Sequence, residues 1–525
     1  MESKKAAHWA DAFADRIIRE KGEKDRYTCA SGITPSGTVH IGNFREIIST
    51  ELVVRALKSR GKQVRFIYSW DDYDVFRKVP KNMPNQELLA KHLRFPINLV
   101  PDPYGRDSSY ARHHEVDVEK ILPAVGINPE YLYQADRYRA SMYAETMRRA
   151  LEKREEIKAI LDEFRAEDLT GDWWPVSIFC EACDRDDTVI RSWDGAWMLS
   201  YACGDCGNAE TIDLRGAKGA KLLWRIDWPM RWAWEKVDFE PAGKDHHSQG
   251  GSFDTARRIV MAVYGVDAPV SFQYDFISIK GRGGKISSSS GVVIDLYDVL
   301  EVYTPEVARY LFTGTRPNTE FSISFDLDAI KIYEDYDKTE RVYYGKESLA
   351  DPDDVGRERR IYEFSQPGDP DPEPPYQVTG GFRHLCNLLQ IDDGDIDKTL
   401  SKLPGLTEAQ VPKLRVRAQC AWNWITKFSP EDFRFCLRSD GSAVETEPKE
   451  AAALAALREA VAEGGLDEAA MASRIYEIAQ EKGLTPGDFF RLAYRALLGK
   501  DRGPRLAGFL LGIGAERVGR ILAPY

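Results

Sequence analysis

Residues 27–43 read YTCASGITPSGTVHIGN, in which an apolar run passes through a glycine-bearing turn into a helical pattern. Residues 27–31 predict a short buried strand, and residues 63–68 predict a second one. The helix predicted between them ends near Gly61, and its apolar face includes Phe44, Ile47, Ile48, Leu52, Val53 and Leu57. Strand, turn, helix and strand form a βαβ unit, which predicts the α/β class with a doubly wound, Rossmann-type parallel sheet.

The turn that opens this helix has the chemistry of a nucleotide site. Sheets of this type bind ligands at the carboxyl ends of their strands, and a helix N-terminus favours phosphate through its unpaired N–H groups. The His40 imidazole can donate to a phosphate oxygen, and Gly42 leaves space for adenine or ribose. The G-x-G-x-x-G fingerprint is absent from the turn, which disfavours a nicotinamide or flavin enzyme.

A second candidate element lies some 240 residues further on. Residues 280–291 read KGRGGKISSSSG, a glycine- and serine-rich loop with three cations, Lys280, Arg282 and Lys285. Such a loop can clamp a polyphosphate in the transition state. Taken alone, it is equally well explained as a solvated surface loop.

Composition sets the broad class of the protein. The chain has 525 residues, and 72 Lys and Arg against 84 Asp and Glu give a formal charge of −12. This length predicts about two to four domains. The acidity argues against a protein that coats nucleic acid nonspecifically, but it leaves room for a local basic surface. No stretch approaches the roughly 20 apolar residues of a membrane span, and the first residues lack a signal-peptide pattern.

Four of the eight cysteines form two C-x-x-C pairs, Cys180 with Cys183 and Cys203 with Cys206. This spacing is typical of a tetrahedral, four-thiolate structural zinc site in a zinc ribbon. The alternatives are two chance pairs or two redox dithiols. The remaining four, Cys29, Cys386, Cys420 and Cys436, stand in apolar contexts that predict reduced core residues. Cysteine usage therefore indicates a cytoplasmic protein.

The order of these features predicts five parts. Residues 1–170 and 226–300 are two halves of the catalytic sheet, and residues 171–225 are the zinc-ribbon insertion between them. Residues 301–365 form a bridging segment. Residues 366–375 read QPGDPDPEPP, which cannot lie inside a helix or sheet, and residues 366–525 beyond this boundary are nearly all helical in pattern.

Together, the His-Ile-Gly-Asn run at 40–43 and the loop at 280–291 resemble the H-I-G-H and K-M-S-K-S motifs of class I aminoacyl-tRNA synthetases. Four further runs, SGITPSG at 31–37, YSWDDYD at 68–74, WRIDWPMRW at 224–232 and GKDH at 243–246, narrow the resemblance. They are similar to those of the class I, archaeal-type lysyl-tRNA synthetases, which also occur in some bacteria.

The resemblance implies a set of nucleotide-binding residues. ATP would be held by Pro35, Gly37, His40, Gly42 and Asn43, and its phosphates contacted by Lys285 with Ser287, Ser288 and Ser289. The sequence departs from the general class I pattern in two places: Asn43 replaces a histidine, as is usual in this subfamily, and the loop lacks the second lysine. Ser290 also stands where this subfamily often has a lysine, so that Lys280 or Arg282 is left to reach the departing pyrophosphate.

The implied reaction is a ligation in two steps. The carboxylate of L-lysine attacks the α-phosphorus of ATP to give lysyl-adenylate and pyrophosphate, and a terminal ribose hydroxyl of tRNA(Lys) then takes the lysyl group. Catalysis rests mostly on positioning and electrostatics, and Mg²⁺ is expected with ATP. The expected lysine-binding residues are Gly32, Thr34, Tyr68, Asp71, Asp72, Trp228, Asp245 and His246, with Asp74 beside them.

The C-terminal region carries the features expected of an RNA-binding surface. Basic residues next to aromatic ones suit phosphate contact and stacking on unpaired bases. The resemblance makes the helical domain the anticodon-binding domain, with no DNA partner expected; the alternative is ordinary helix faces with core tryptophans. The residues concerned are Lys413, Arg415, Arg417, Trp422, Trp424, Arg491, Arg495, Lys500, Arg502, Arg505, Arg517 and Arg520.

Two other functions stay open at this stage. A glutamyl- or glutaminyl-type class I synthetase shares the fold, although acids at 71–74 favour a cationic amino acid. A synthetase paralogue that binds tRNA without activating an amino acid would explain the missing loop lysine.

Overall fold

The computed structural model describes residues 6–280, 293–439 and 441–525. The chain divides into two compact units. The first comprises Met1–Leu300, Pro305–Ile323 and Gly345–Pro370, and the second comprises Glu301–Thr304, Ser324–Tyr344 and Asp371–Tyr525. The finer division into five parts stays a prediction. None of the described helices is both long and apolar enough to cross a membrane.

The helices of the N-terminal part of the chain alternate with strands. In chain order they are α1 Trp9–Lys21, α2 Ile41–Lys58, α3 Gln86–Lys91, α4 Tyr110–Ile121, α5 Gln134–Arg139, α6 Ala144–Glu152, α7 Arg154–Asp162, α8 Trp224–Glu235, α9 Lys244–His247, α10 Ser252–Ile259, α11 Leu296–Val302 and α12 Pro305–Thr313.

The remaining helices follow without intervening strands in the described residues. They are α13 Asp328–Tyr343, α14 Pro352–Ser365, α15 Gly381–Ile391, α16 Ile396–Ser401, α17 Val411–Lys427, α18 Pro448–Glu463, α19 Glu468–Glu481, α20 Pro486–Leu498, α21 Leu506–Ile513 and α22 Ala515–Ile521.

The strands all precede α13. They are β1 Arg26–Ile33, β2 Gln63–Trp70, β3 Glu130–Tyr133, β4 Val176–Ile178, β5 Thr188–Trp193, β6 Met198–Cys203, β7 Ala209–Asp213, β8 Ala220–Leu222, β9 Ala242–Gly243, β10 Gln273–Tyr274, β11 Ile277–Ile279 and β12 Phe321–Ile323.

The central sheet confirms the predicted βαβ unit. Strands β1 and β2 are parallel, with Gly32 opposite Ser69, and β3 continues the parallel order on the far side of β2. On the other side of β1, single parallel bridges join Cys29 to Phe239 and Phe239 to Val270. Strands β9 and β10 then pair in parallel. The sheet therefore reverses its strand order beside β1, and the carboxyl ends of its strands meet at one edge.

Close packing between the first two strands depends on Gly32. A Cβ atom at this position would lie 2.7 Å from the Ser69 carbonyl oxygen, so a side chain here would push β2 away from β1. Helix α2 crosses over these strands and buries Phe44, Ile47 and Leu52 against them and their neighbours. This arrangement fixes the start of α2 at the carboxyl edge of the sheet.

Residues 176–222 form two small antiparallel sheets inside the first unit. Strand β4 pairs with β8, and β5, β6 and β7 form a three-stranded sheet. The second unit consists of helices and connecting segments in its described residues, and its core packs residues such as Leu454, Ile478, Phe489 and Leu510.

Three of the four single cysteines are buried as expected, and Cys436 is exposed. The expectation of a core position is therefore wrong for Cys436. It lies between Phe435 and Leu437, which are both buried. In an extended segment successive side chains point to opposite sides, so burial of both neighbours turns the thiol outward.

Candidate active site

A cleft of ≈ 540 Å³ opens at the carboxyl edge of the central sheet in the first unit. Seven residues that the sequence nominates line it: Gly32, Thr34, Asn43, Tyr68, Asp71, Asp74 and His246. The position agrees with the rule that doubly wound sheets bind ligands where the strand order reverses.

The start of α2 forms one wall of the cleft. The backbone N–H of His40 donates to Asn43 Oδ1 at 3.1 Å, which closes the first turn of the helix. A Cβ atom on Gly42 would lie 2.9 Å from two atoms of the His40 ring, so glycine is needed for the ring to fold over the helix start. Pro35 and Gly37 are buried in the preceding turn. The nominated nucleotide-binding residues described by the structure thus share one helix terminus, whose dipole favours phosphate.

Described residues on both sides of the segment 281–292 are hydrogen-bonded to α2. The Ile41 N–H donates to the Ile294 carbonyl at 2.9 Å. On the other flank, the buried Arg45 guanidinium donates to the Asp275 carbonyl at 2.8 Å and to the Phe276 carbonyl at 3.1 Å. The described residues that flank the second motif are therefore anchored to the helix that begins with the first. Lys285, Ser287, Ser288 and Ser289 themselves lie outside the described residues, as does Arg282.

A narrow recess of ≈ 70 Å³ adjoins the cleft and shares Gly32, Glu46, Asp71, Trp224 and His246 with it. Its other walls include the nominated Trp228. We call this cavity, with Arg231 and Glu240 on its remaining side, the amino-acid recess.

Asp71 does not present a free negative charge to the recess. Its Oδ1 accepts from the Arg231 guanidinium at 2.5 Å, and its Oδ2 accepts from the same guanidinium at 3.3 Å. The same guanidinium lies 3.2 Å from Asp227, one helical turn earlier on α8. All three groups are buried. Arg231 therefore offsets the charge that the sequence suggested for binding a lysine ammonium group.

Of the other acids nominated from the sequence, Asp74 lines the cleft, whereas Asp72 and Asp245 lie outside it. Asp74 pairs with Lys221 at 2.7 Å and accepts from Thr34 Oγ1 at 2.9 Å. Asp72 is buried and accepts from the Ala135 N–H at 2.8 Å, at the start of α5. Asp245 is exposed on α9. Neither Asp72 nor Asp245 lines the cleft or the recess.

Glu46 is an acid of the recess that the sequence analysis missed. Its carboxylate accepts from Ser31 Oγ at 2.9 Å, from the Gly32 N–H at 3.2 Å and from the Tyr274 hydroxyl. Removal from water raises the pKa of Glu46, and these hydrogen bonds oppose the shift. No cation of the described residues lies within 4 Å of this carboxylate. The sequence feature that could have identified Glu46 is its position in α2, between the core residues Phe44 and Ile47.

Aromatic rings enclose the recess. Trp224 and Trp228 stack with their centroids 5.2 Å apart, and the His246 ring meets Trp228 edge-on at 5.7 Å. Ser252 Oγ lies 2.6 Å from His246 Nδ1 and holds the ring in place. Rings around a carboxylate suit a ligand with an apolar stem and a cationic end.

The four paired cysteines come together in the first unit. The Sγ atoms of Cys180 and Cys206 are 3.6 Å apart, and those of Cys183 and Cys203 are 3.7 Å apart. All four Sγ atoms lie within 4.8 Å of one another. The sulphur atoms are too far apart for disulfides, which need about 2.05 Å, and they surround one point, as the ligands of a metal ion do.

Most of the nominated cations in the second unit are paired or buried. Arg417 is bidentate to Asp337 at 2.7 Å, and Trp424 is fully buried, so the core-tryptophan alternative holds for Trp424. By contrast, Arg502 and Arg505 have no carboxylate within 4 Å among the described residues. They line a cavity of ≈ 570 Å³ together with Phe433.

Comparison with known proteins shows the family to which the chain belongs. The family model described as "tRNA synthetases class I (K)" matches residues 7–368. A lysine–tRNA ligase from Treponema pallidum is 52% identical over 99% of each chain. Its counterpart from Borreliella burgdorferi is 53% identical over 99% of this chain and 100% of that protein, and the one from Thermococcus kodakarensis is 41% identical over 97% and 98%. The chain belongs to the class I, lysine-type family of aminoacyl-tRNA synthetases and has the class I synthetase fold.

Among solved structures, a glutamate tRNA ligase from Elizabethkingia meningosepticum aligns at 14% identity with a TM-score of 0.42. The alignment covers 95% of this chain and 98% of that chain. So loose a superposition carries no argument about this protein.

Proposed function

We propose that this chain is a lysine–tRNA ligase, which activates L-lysine with ATP and transfers it to tRNA(Lys). The observation that carries the proposal is the full-length similarity to proteins named lysine–tRNA ligase, at 52% and 53% identity. The amino-acid recess supports it, because the Glu46 carboxylate in its lining suits a cationic amino acid and not glutamate.

Activation joins the two ligands at the carboxyl edge of the sheet. A carboxylate oxygen of lysine forms a bond to the α-phosphorus of ATP, and the bond from that phosphorus to the pyrophosphate oxygen breaks. His40, Gly42 and Asn43, with Pro35 and Gly37, hold ATP at the start of α2. Lys285 and the serines at 287–289 contact the phosphates, and Mg²⁺ accompanies ATP. A terminal ribose hydroxyl of tRNA then attacks the mixed anhydride and releases AMP.

Glu46 binds the lysine ε-ammonium group in this proposal. The carboxylate is already oriented by Ser31, Gly32 and Tyr274, so little further ordering is needed on binding. Trp224 and Trp228 pack along the methylene stem. The roles that the sequence suggested for Gly32, Thr34, Tyr68 and His246 fit this placement, because all four line the cleft.

A structural zinc ion is held by Cys180, Cys183, Cys203 and Cys206. Zn–S bonds of about 2.3 Å in a tetrahedron place the sulphur atoms about 3.8 Å apart, close to the 3.6 and 3.7 Å observed. We expect one zinc per chain in protein purified without chelators, and loss of that zinc in Cys183→Ser. Cys436→Ser is the control, since this exposed cysteine lies outside the cluster. A disulfide in place of zinc would contradict the proposal.

The helical second unit binds the anticodon, and residues 301–365 bridge to the acceptor stem. The unpaired Arg502 and Arg505 beside Phe433 support this partner, because guanidinium groups bind phosphate and an aromatic ring stacks on an unpaired base. A cytoplasmic location, which fits translation and reduced cysteines, is part of the same proposal.

The test is amino-acid-dependent exchange of pyrophosphate into ATP, with and without tRNA(Lys). We expect exchange with lysine in the presence of tRNA and none with glutamate or glutamine. Exchange with glutamate would favour a glutamyl-type enzyme. No exchange with any amino acid, despite tight tRNA binding, would favour a non-activating paralogue.

The role of the phosphate loop has its own test. Lys285→Ala should abolish most lysine activation and leave tRNA affinity nearly unchanged, because the lysine contacts only the ATP phosphates in the proposal. Unaltered activation in this variant would remove Lys285 from the site.

A further inference from the structure

Glu240 is a buried acid for which the reaction described above gives no role. It lies between α8 and β9, next to Phe239, which forms the bridges to Cys29 of β1 and to Val270. The Glu240 N–H donates to the Val270 carbonyl at 3.1 Å. Only 8% of the residue is exposed, and its side chain faces the amino-acid recess. A carboxylate buried in this way needs a structural or functional reason.

The two carboxylate oxygens each accept from one indole. Trp228 Nε1 donates to Oε1 at 3.1 Å, and Trp232 Nε1 donates to Oε2 at 2.5 Å. These tryptophans are four residues apart on α8 and thus on the same face. Glu240 therefore fixes the orientation of Trp228, which is a wall of the recess.

The charges that face Glu240 do not balance. From α2 it faces Glu46, from the end of β2 Asp71, and from α8 Arg231, which also pairs with Asp227; His246 of α9 lines the same recess. Arg231 is thus the single permanent cation among four carboxylates in this part of the described structure. A positively charged ligand in the recess would reduce the imbalance.

We propose that Glu240 is a positioning residue for the amino acid: it holds the Trp228 ring against the ligand's stem, and its negative charge strengthens binding of the ammonium group. The inference rests on the proposed function, since it takes lysine as the ligand. It adds a second anionic residue to the recess beyond Glu46.

The protonation of Glu240 provides a readout. Burial raises the pKa of Glu240 to about 7, against the opposing effects of the Trp228 hydrogen bond, Arg231 and the Trp232 hydrogen bond. Below pH 7 the group binds a proton in the free protein, and above pH 7 it is charged. Lysine binding should therefore weaken as the pH falls from 8 to 6, because a cation is bound less well beside a neutral acid.

The experiment compares the lysine KM in tRNA-dependent exchange, from pH 6 to pH 8, between wild type and Glu240→Gln. The amide nitrogen of glutamine cannot accept from an indole, and the charge is lost. We expect a rise in KM at pH 8 of about tenfold to a hundredfold, a kcat within about threefold, and a shallower rise in KM below pH 7. Glu46 is still present, so some pH dependence remains. A folded variant with the wild-type KM and pH profile would overturn the proposal.

The matched control is Glu235→Gln. Glu235 is also a buried glutamate, at the end of α8, but it pairs with Arg65 at 2.6 Å and with Arg137, and it lines neither the recess nor the cleft. We expect this variant to keep the lysine KM and its pH profile, whatever its stability. A loss of lysine binding equal to that of Glu240→Gln would show that any buried glutamate of this region acts through the fold, and would overturn the proposal.

Trp232→Phe keeps the proposal testable if Glu240→Gln does not fold. The change removes a hydrogen bond that lowers the pKa of Glu240 and leaves Trp228 in place. The midpoint of the lysine KM profile should move to higher pH, and an unmoved midpoint would overturn the proposal. Complete absence of lysine-dependent exchange in the wild type would instead refute the proposed function itself.

Discussion

Two buried charge clusters lie in the first unit, and they differ in whether each carboxylate has a cationic partner. At the C-terminal half of α2, the fully buried Arg309 donates to Glu51 Oε2 at 2.7 Å and to the Val125 and Phe364 carbonyls at 2.8 Å each. Arg55 also pairs with Glu51. Every charge of this cluster has a partner from the protein.

The amino-acid recess, near the N-terminal half of the same helix, is built differently. Arg231 neutralises part of the charge of Asp71 and Asp227, and Glu46 and Glu240 have neutral hydrogen-bond donors only. Burial of a charge without a counter-ion costs folding free energy. In the Arg309 cluster the protein supplies the cations that pair with the carboxylate. In the recess, a positively charged ligand has to supply one.

Arg309→Met should have the largest effect on folding. It leaves Glu51 buried with one cation fewer and two carbonyls without their donor, so we expect the free energy of unfolding to fall by about 3–5 kcal/mol. Chemical denaturation measures this loss. Arg16→Met is the control, because the Arg16–Glu20 pair at 2.8 Å is partly exposed and is worth below about 1 kcal/mol. Equal losses of unfolding free energy in the two variants would contradict the claim that the Arg309 cluster stabilises the fold.

Glu46→Gln should have the largest effect on lysine binding. Loss of a charged hydrogen bond to the ε-ammonium group predicts a lysine KM raised about tenfold to a hundredfold. Folding should not suffer at pH 8. The folded pKa of Glu46 is raised, so its ionisation above the unfolded pKa costs folding free energy, and a neutral amide removes that cost. A variant that loses stability but keeps its lysine KM would make Glu46 part of the fold and not of the site.

The stabilisation by lysine should depend on pH in a defined direction. Glu240 has a pKa of about 7 and that of Glu46 is raised, both by burial. From pH 6 to pH 8 the recess gains negative charge, so saturating lysine should raise the melting temperature more at pH 8 than at pH 6. Norleucine, which lacks the ε-ammonium group, serves as the control and should show no such difference. A larger rise in melting temperature at pH 6 than at pH 8 would contradict the claim that the recess carries excess negative charge.

Asp72→Asn should have the smallest effect. The carboxylate accepts from the Ala135 N–H outside the recess, and the asparagine oxygen can accept the same bond. We expect the free energy of unfolding to change by less than about 1 kcal/mol and the lysine KM to stay at the wild-type value. A strong rise in KM would restore Asp72 as a lysine-binding residue.

The sequence predicted the structural features that depend on residues close to one another along the chain. The βαβ unit follows from local apolar periodicity, and the C-x-x-C spacing nominated the four cysteines that the structure brings together. It also nominated seven of the cleft residues, because they lie in runs that end at the sheet edge. These features need no knowledge of contacts between distant segments.

The sequence could not show which acid carries free charge. Asp71 stands at the right edge of the sheet, but Arg231, 160 residues later, offsets it. Glu46 looked like an ordinary helix residue, since Tyr274 reaches it from 228 residues away. Long-range pairing of this kind is decided by packing, which a single sequence does not display. Trp424 and Cys436 show the same limit, because burial of one and exposure of the other depend on tertiary neighbours.

The most direct test compares lysine with norleucine by calorimetric titration of the wild-type protein in the presence of tRNA(Lys). If the ε-ammonium group is the counter-ion of the carboxylates in the recess, lysine should bind at least about a hundredfold more tightly than norleucine. With norleucine bound, the buried carboxylates would have no cationic partner. Glu46→Gln should narrow that ratio. Equal affinities of the wild type for the two amino acids would contradict the assignment of the recess to a cationic substrate.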